Sequence, residues 1–137
     1  MNTNNVLRVL IRACVDDQRT LCQESKWAEA TRGETLTRLA SEREQFVADL
    51  ERLGSRQESH DGSWSELRRE VGRAIWVAAA GPNNGDAITA CRHSRARTEA
   101  RYDQALKARL PDEIQRIVAM HRRCLHDETD ELNALQF

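Results

Sequence analysis

The sequence has few of the residues that interrupt helices or build sheets. Among its 137 residues are two prolines and six glycines, and aromatic residues make up 4%. Strands are enriched in β-branched and aromatic residues, so this composition argues against a β-sandwich. Hydrophobic residues at 39% and charged residues at 31% are typical of amphipathic helices. The chain is therefore expected to be all-α, with one domain spanning residues 1–137.

The sequence also lacks the signals of export, membrane insertion and nucleic-acid binding. Its start, Met1–Asn5, has no basic segment followed by an apolar run, and no later stretch approaches the roughly 20 apolar residues of a spanning helix. The net charge is -1, and the arginines between Arg92 and Arg109 point in several directions on a helical wheel. We expect a cytoplasmic protein that binds neither membrane nor nucleic acid.

The four cysteines form no CxxC pair, and their spacing fits neither a zinc knuckle nor a disulfide framework. They are expected to be reduced and mostly packed in the core. A zinc site from His121 and Cys124 with Cys91 and His93 is the weaker alternative, because His93 lies two residues from Cys91 and points away from it on a helix.

Apolar residues recurring at three and four positions predict five helices. The first runs from about Asn5 to Ala30 behind a Thr3-Asn4-Asn5 cap, and Gly33 separates it from the second, which runs from about Glu34 to Leu53 and ends at Gly54. A third opens at Ser63 and stops at Gly81–Gly85. The fourth runs from near Asp86 to Leu110, and Pro111 begins the last.

Two short connections and one long middle segment favour a four-helix bundle made from the first, second, fourth and fifth helices. The third helix then lies in the crossover. One long connection between two antiparallel pairs is the ferritin-like arrangement.

Several stretches resemble an uncharacterised bacterial ferritin-like four-helix-bundle family, described as a domain of unknown function. The resemblance covers nearly the whole chain and rests on five stretches, Val6–Asp17, Glu42–Leu50, Arg73–Trp76, Ala90–Leu106 and the Leu110-Pro111 break. It implies a ferritin-like fold, an oligomer and a role linked to stress.

This chain departs from that family's pattern at three places. The Gly-Glu pair of the family's fourth helix is matched by Ser94 and Arg95, which removes a carboxylate. The family's first-helix glutamate falls near Thr20 and its late histidine near Thr129. The chain therefore resembles a divergent member.

A ferritin-like di-iron site needs Glu-x-x-His pairs, and the sequence contains none. Charged residues nevertheless occupy apolar-stripe positions. In one interpretation a salt-bridge network fills the seam, because unpaired buried charge is costly and arginine repels a cation; its members are Asp17, Glu24, Arg43, Arg95 and Glu128. In the alternative, one or two divalent metals are bound by candidates that include Asp17, Glu24, Glu42, His121 and Glu128.

No nucleophile motif or phosphate-binding loop is present, so no catalytic or cofactor-binding residue is predicted. The sequence favours a non-catalytic structural or protein-interaction module, and a degenerate metal-storage or metal-sensing protein is the alternative. Trp64 and Trp76 are large apolar groups of the crossover helix. They are the candidates for a homodimer interface, beside any unknown protein partner.

Overall fold

The computed structural model describes residues 2–26, 28–57 and 87–134, and these residues form helices without any strand. The all-α prediction is confirmed. The four helices of the described chain are α1 (Thr3–Ser25), α2 (Ala30–Gln57), α3 (Ala87–Lys107) and α4 (Asp112–Ala134). The predicted crossover helix, with Trp64 and Trp76, lies outside the described residues. No helix in the described ranges is both long and apolar enough to cross a bilayer.

The turn between α1 and α2 differs from the prediction. Helix α1 ends at Ser25 instead of Ala30. At its other end, the side chain of Asn2 caps the helix by accepting from the backbone N–H of Asn4 at 2.8 Å. Gly33 does not break the chain. It lies in the first turn of α2, where a Cβ would stand 3.3 Å from the carbonyl oxygen of Ser25. Glycine is therefore suited here to a close approach of the two helix ends.

Helix α2 also continues through Gly54 to Gln57, so the predicted stop at that glycine is wrong. Leu53 is buried in the core, and Arg56 Nη1 lies 2.6 Å from Glu113 Oε1 in the first turn of α4. The packing of Leu53 before Gly54 and the pairing of Arg56 after it outweigh the modest helix penalty of one glycine.

The directions of the helices follow from their contacts. Helix α1 packs on α2 and α3, and α4 packs on α3 and α2, so the four enclose one core. Pairs such as Arg56–Glu113 and Arg38–Glu131 run in opposite order along α2 and α4. Each neighbouring pair is antiparallel, and α2 and α3 are therefore parallel across the diagonal.

The core is divided into two apolar clusters with charge between them. One cluster includes Leu10, Phe46 and Leu125, and the other includes Leu21, Leu39 and Leu132. Between the two clusters lie buried charged residues, Asp17 on α1, Arg43 on α2 and Glu128 on α4. Of the four cysteines, Cys14 and Cys91 are buried, whereas Cys22 is half-buried and Cys124 is exposed, so only two are core residues.

Candidate functional site: a charged layer and a hydrogen-bonded chain in the core

Three charged side chains meet between the two apolar clusters, and we call them the charged layer: Asp17 from α1, Arg43 from α2 and Glu128 from α4. Arg43 is 1% exposed. Its Nε donates to Asp17 Oδ2 at 2.5 Å, and its Nη1 donates to Glu128 Oε1 at 3.0 Å. Nη2 donates to the second oxygen of Glu128, so that pair is bidentate. One guanidinium thus ties three helices together.

The charged layer contains more carboxylates than cations. Glu42 pairs with the exposed Arg38 at 3.1 Å and lies near Glu128. Burial raises the pKa of Glu128 to about 8; the bonds from Arg43 oppose this shift, and the neighbouring carboxylate of Glu42 adds to it. Burial alone would lower the pKa of Arg43, but Glu128 and Asp17 outweigh it and raise that pKa. The arginine stays charged, and Glu128 is the group that takes up a proton.

Helix α3 contributes hydroxyls to this level of the bundle. Ser94 and Thr98 are buried, and Thr98 Oγ1 lies 3.3 Å from the carbonyl oxygen of Ala13 and 3.1 Å from that of Ser94. Arg95 turns to the side of the bundle, where it pairs with Glu99 and approaches the carbonyl oxygen of Leu125 at 3.4 Å. The prediction that Arg95 belongs to the seam network is therefore wrong, because its guanidinium pairs with Glu99 instead.

A second polar feature lies one to two helical turns away and takes one residue from each helix. Cys14 Sγ lies 3.4 Å from Tyr102 Oη, which lies 2.8 Å from His121 Nδ1. His121 Nε2 in turn lies 3.0 Å from Asp49 Oδ2. We call these four residues the hydrogen-bonded chain. Phe46 lies between this chain and the charged layer. Its ring stacks on the imidazole of His121, with 4.0 Å between the ring centroids, and the Arg43 guanidinium lies 5.0 Å from the centroid of the Phe46 ring.

The protons of the hydrogen-bonded chain can be assigned from its ends. The Asp49 carboxylate accepts only, so His121 Nε2 carries a hydrogen. Burial lowers the pKa of His121 against the opposing effect of Asp49, so the ring is neutral at neutral pH and Nδ1 accepts from Tyr102. The tyrosine oxygen then accepts from the Cys14 thiol. Every member is satisfied by this one direction of donation.

This arrangement does not activate a nucleophile. Burial raises the pKa of Cys14 to about 12, only partly offset by the hydrogen bond to Tyr102, and the thiolate is the reactive form of cysteine. Burial likewise raises the pKa of Tyr102. Both groups are 0% exposed, so a substrate has no access to them. The hydrogen-bonded chain specifies how the four helices pack.

Known proteins provide no family assignment for this site. Comparison with protein-family models, with curated proteins and with solved structures gives no match.

The metal candidates chosen from the sequence are divided between different partners. Asp17 and Glu128 bind Arg43, Glu42 lies between Arg38 and Glu128, and His121 belongs to the hydrogen-bonded chain. Glu24 is buried beside Cys91, whose pKa is raised to about 12 by burial and then by this carboxylate. Within the described ranges, no three His, Cys, Asp or Glu side chains are grouped to hold one metal.

The sequence analysis did not single out Tyr102, Phe46 or Asp49 as site residues. A signal for Asp49 does exist. It stands three residues after Phe46 and directly before Leu50, so it lies at the edge of the buried face. What the sequence could not supply was its partner, because Asp49 and His121 are 72 positions apart.

The opposite pKa shifts of Glu128 and His121 predict a stability maximum in mild acid. The pKa of Glu128 is about 8 in the folded protein and 4.5 ordinarily, so the folded chain binds this proton more tightly. The stabilisation that follows is fully present below pH 4.5 and is lost as the pH rises to about 8. The lowered pKa of His121 makes the unfolded chain bind more protons below its ordinary 6.5, so that contribution is lost on acidification. Between pH 6.5 and 8 we expect stability to fall by up to about 1.4 kcal/mol per pH unit.

Urea unfolding at several pH values tests this expectation. The variant Glu128→Gln is neutral and keeps one of the two bonds from Arg43, because its amide nitrogen cannot accept the other. Its stability should not fall between pH 6.5 and 8. The control Glu131→Gln removes an exposed carboxylate of the same helix and should keep the wild-type slope. Equal slopes in the wild type and Glu128→Gln would show that Glu128 is not the titrating group.

Proposed function

We propose that this chain is a ferritin-like helical bundle that acts as a non-catalytic structural or protein-interaction module. The observation that supports this most directly is the position of Arg43. A di-iron bundle directs carboxylates from its helices toward a metal pair at the inner seam. Here a buried guanidinium lies between the carboxylates of α1 and α4.

Charge explains why this arrangement disfavours a metal. Arginine keeps its proton at any ordinary pH, so a divalent cation entering the charged layer would meet a fixed positive charge and would have to displace it from both carboxylates. The carboxylates would also lose bonds that the guanidinium already provides. Asp17 and Glu128 are better matched to Arg43 than to a cation.

The ferritin-like part of the proposal is supported by helix direction. Helices α1 and α2 are antiparallel, α3 and α4 are antiparallel, and α2 and α3 are parallel. This order requires α3 to begin at the end of the bundle opposite to that where α2 ends, as a bundle with one long crossover does. The resemblance to an uncharacterised ferritin-like family and the expected homodimer belong to the same proposal.

Metal retention tests the proposal. Purified, untagged protein is exposed anaerobically to Fe(II), Mn(II) or Zn(II), desalted and analysed for metal. We expect retention far below one ion per chain, with the same trace in Glu128→Gln as in the wild type. The control Glu131→Gln removes an exposed carboxylate of the same helix.

Stoichiometric metal that is lost in Glu128→Gln and kept in Glu131→Gln would overturn the proposal. It would establish the alternative, a divalent-metal storage or sensing protein that uses Asp17, Glu24, Glu42, His121 or Glu128.

A further inference from the structure

The outer side of the seam between α1 and α3 carries a groove, which we call the α1–α3 groove. Two adjoining cavities of about 320 and 560 Å³ open along it and share Val9 and Arg101 in their walls. On α1 the lining residues include Val6, Val9, Ala13 and Asp16, which recur at three and four positions and so form one stripe.

The facing stripe of α3 has the same periodicity and consists of Ser94, Arg97, Arg101, Gln104 and Ala108. The hydroxyl of Thr98 reaches the carbonyl oxygen of Ala13 at 3.3 Å, so the two helices approach closely at their small residues. From Ser94 to Lys107 the groove extends about 20 Å at 1.5 Å per residue. That length accommodates roughly four turns of another helix.

The floor of the groove is apolar and its rim is basic. Val9 is 40% exposed. Among the described residues, the exposed large hydrophobic side chains are Val9 and, on α4, Met120. Four cations line the groove against the single carboxylate of Asp16, namely Arg12, Arg97, Arg101 and Lys107. Arginine rims around apolar contacts are common in protein interfaces, and clustered positive charge selects a negatively charged partner.

We propose that the α1–α3 groove binds an acidic amphipathic helix of a partner protein. The partner's apolar stripe packs on Val9 and Ala13, and its flanking aspartates and glutamates pair with Arg12, Arg97 and Arg101. Residues 63–78 of this chain are a poorer match, because they carry three arginines and two glutamates. A nucleic acid is disfavoured by the apolar floor. This inference rests on the proposed interaction function and specifies its partner.

Selection from a peptide library tests the groove without assuming a partner. The library consists of 16-residue helical peptides with a fixed apolar stripe and randomised remaining positions, displayed against the full chain. We expect selected peptides to be enriched in aspartate and glutamate. Their affinity, measured by fluorescence anisotropy, should fall at least about tenfold in Val9→Glu and in Arg97→Glu.

The matched controls are Met120→Glu and Arg116→Glu, which make the same changes at exposed positions of α4. All four sites are exposed, so the variants should fold, and circular dichroism checks this. The controls should bind the selected peptides like the wild type.

The inference would be overturned by a failure to select peptides, by peptides without acidic enrichment, by binding that is unchanged in Val9→Glu, or by tighter binding of a 20-base-pair DNA than of the peptides. Loss of self-association in Val9→Glu would assign the groove to a second copy of this chain and also overturn it. Peptide binding that is lost in Met120→Glu would be consistent with the proposed interaction function but would show that the α1–α3 groove is not the binding site. Stoichiometric metal, by contrast, would remove the proposed function itself.

Discussion

Replacing Arg43 with methionine is expected to lower the free energy of unfolding by about 3 to 5 kcal/mol. Methionine fills part of the space but leaves Asp17 and Glu128 buried without the guanidinium that donates to both. Asp17 suffers most, because its other oxygen, Oδ1, is already buried without a hydrogen-bond partner among the described residues. Urea unfolding followed by far-ultraviolet circular dichroism measures the loss.

Arg38 provides a matched control for this substitution. It lies on the same helix and also pairs with two carboxylates, those of Glu42 and Glu131, but its side chain is 49% exposed. Arg38→Met should therefore cost at most about 1 kcal/mol, as exposed ion pairs do. Similar costs for Arg38→Met and Arg43→Met would contradict the conclusion that burial makes the charged layer critical.

The charged layer is expected to specify the fold more than it stabilises it. Replacing all three members together, as Asp17→Leu, Arg43→Met and Glu128→Leu, removes the buried charges along with their attraction, so the triple variant should be far more stable than Arg43→Met alone. A triple variant as unstable as Arg43→Met would mean that the charges supply net stabilisation that packing cannot replace.

Replacing His121 with alanine is expected to cost about 2 to 4 kcal/mol, the second largest effect. The imidazole stacks on Phe46 at 4.0 Å, and its removal opens a cavity in the core. It also removes the acceptor of the Tyr102 hydroxyl, which is buried. The same unfolding measurement applies, with His126→Ala as an exposed control on α4 that should change stability by less than about 0.5 kcal/mol.

Two further variants separate packing from hydrogen bonding. His121→Phe keeps a ring against Phe46 but cannot accept from Tyr102, and Tyr102→Phe removes the hydroxyl alone. Because both break the same bond, their combined cost should be smaller than the sum of the single costs by about 1 kcal/mol. Strict additivity would show that the hydrogen-bonded chain is a set of independent contacts.

The sequence alone determined the helical class of the chain and many of the apolar positions that its core buries. Leu7, Leu39 and Leu132 could be assigned to the core because a 3.6-residue period places them on one face of each helix, and no partner need be known for that. Asp17, Arg43 and Glu128 were recognisable for the same reason, since each interrupts an apolar stripe with charge.

Only the tertiary structure decided which polar residues meet. Arg43 and Glu128 are 85 positions apart, and Cys14 and Tyr102 are 88 apart, so no local pattern links them. The rotation of α3 decides whether Arg95 reaches the charged layer or, as here, pairs with Glu99 at the side of the bundle. Tertiary contacts also decided that Gly33 and Gly54 lie within a helix. Gly33 lies close to the carbonyl oxygen of Ser25, and Gly54 is followed by Arg56, which pairs with Glu113 of α4. Periodicity fixes what a helix buries, whereas contact between helices fixes what that buried face binds.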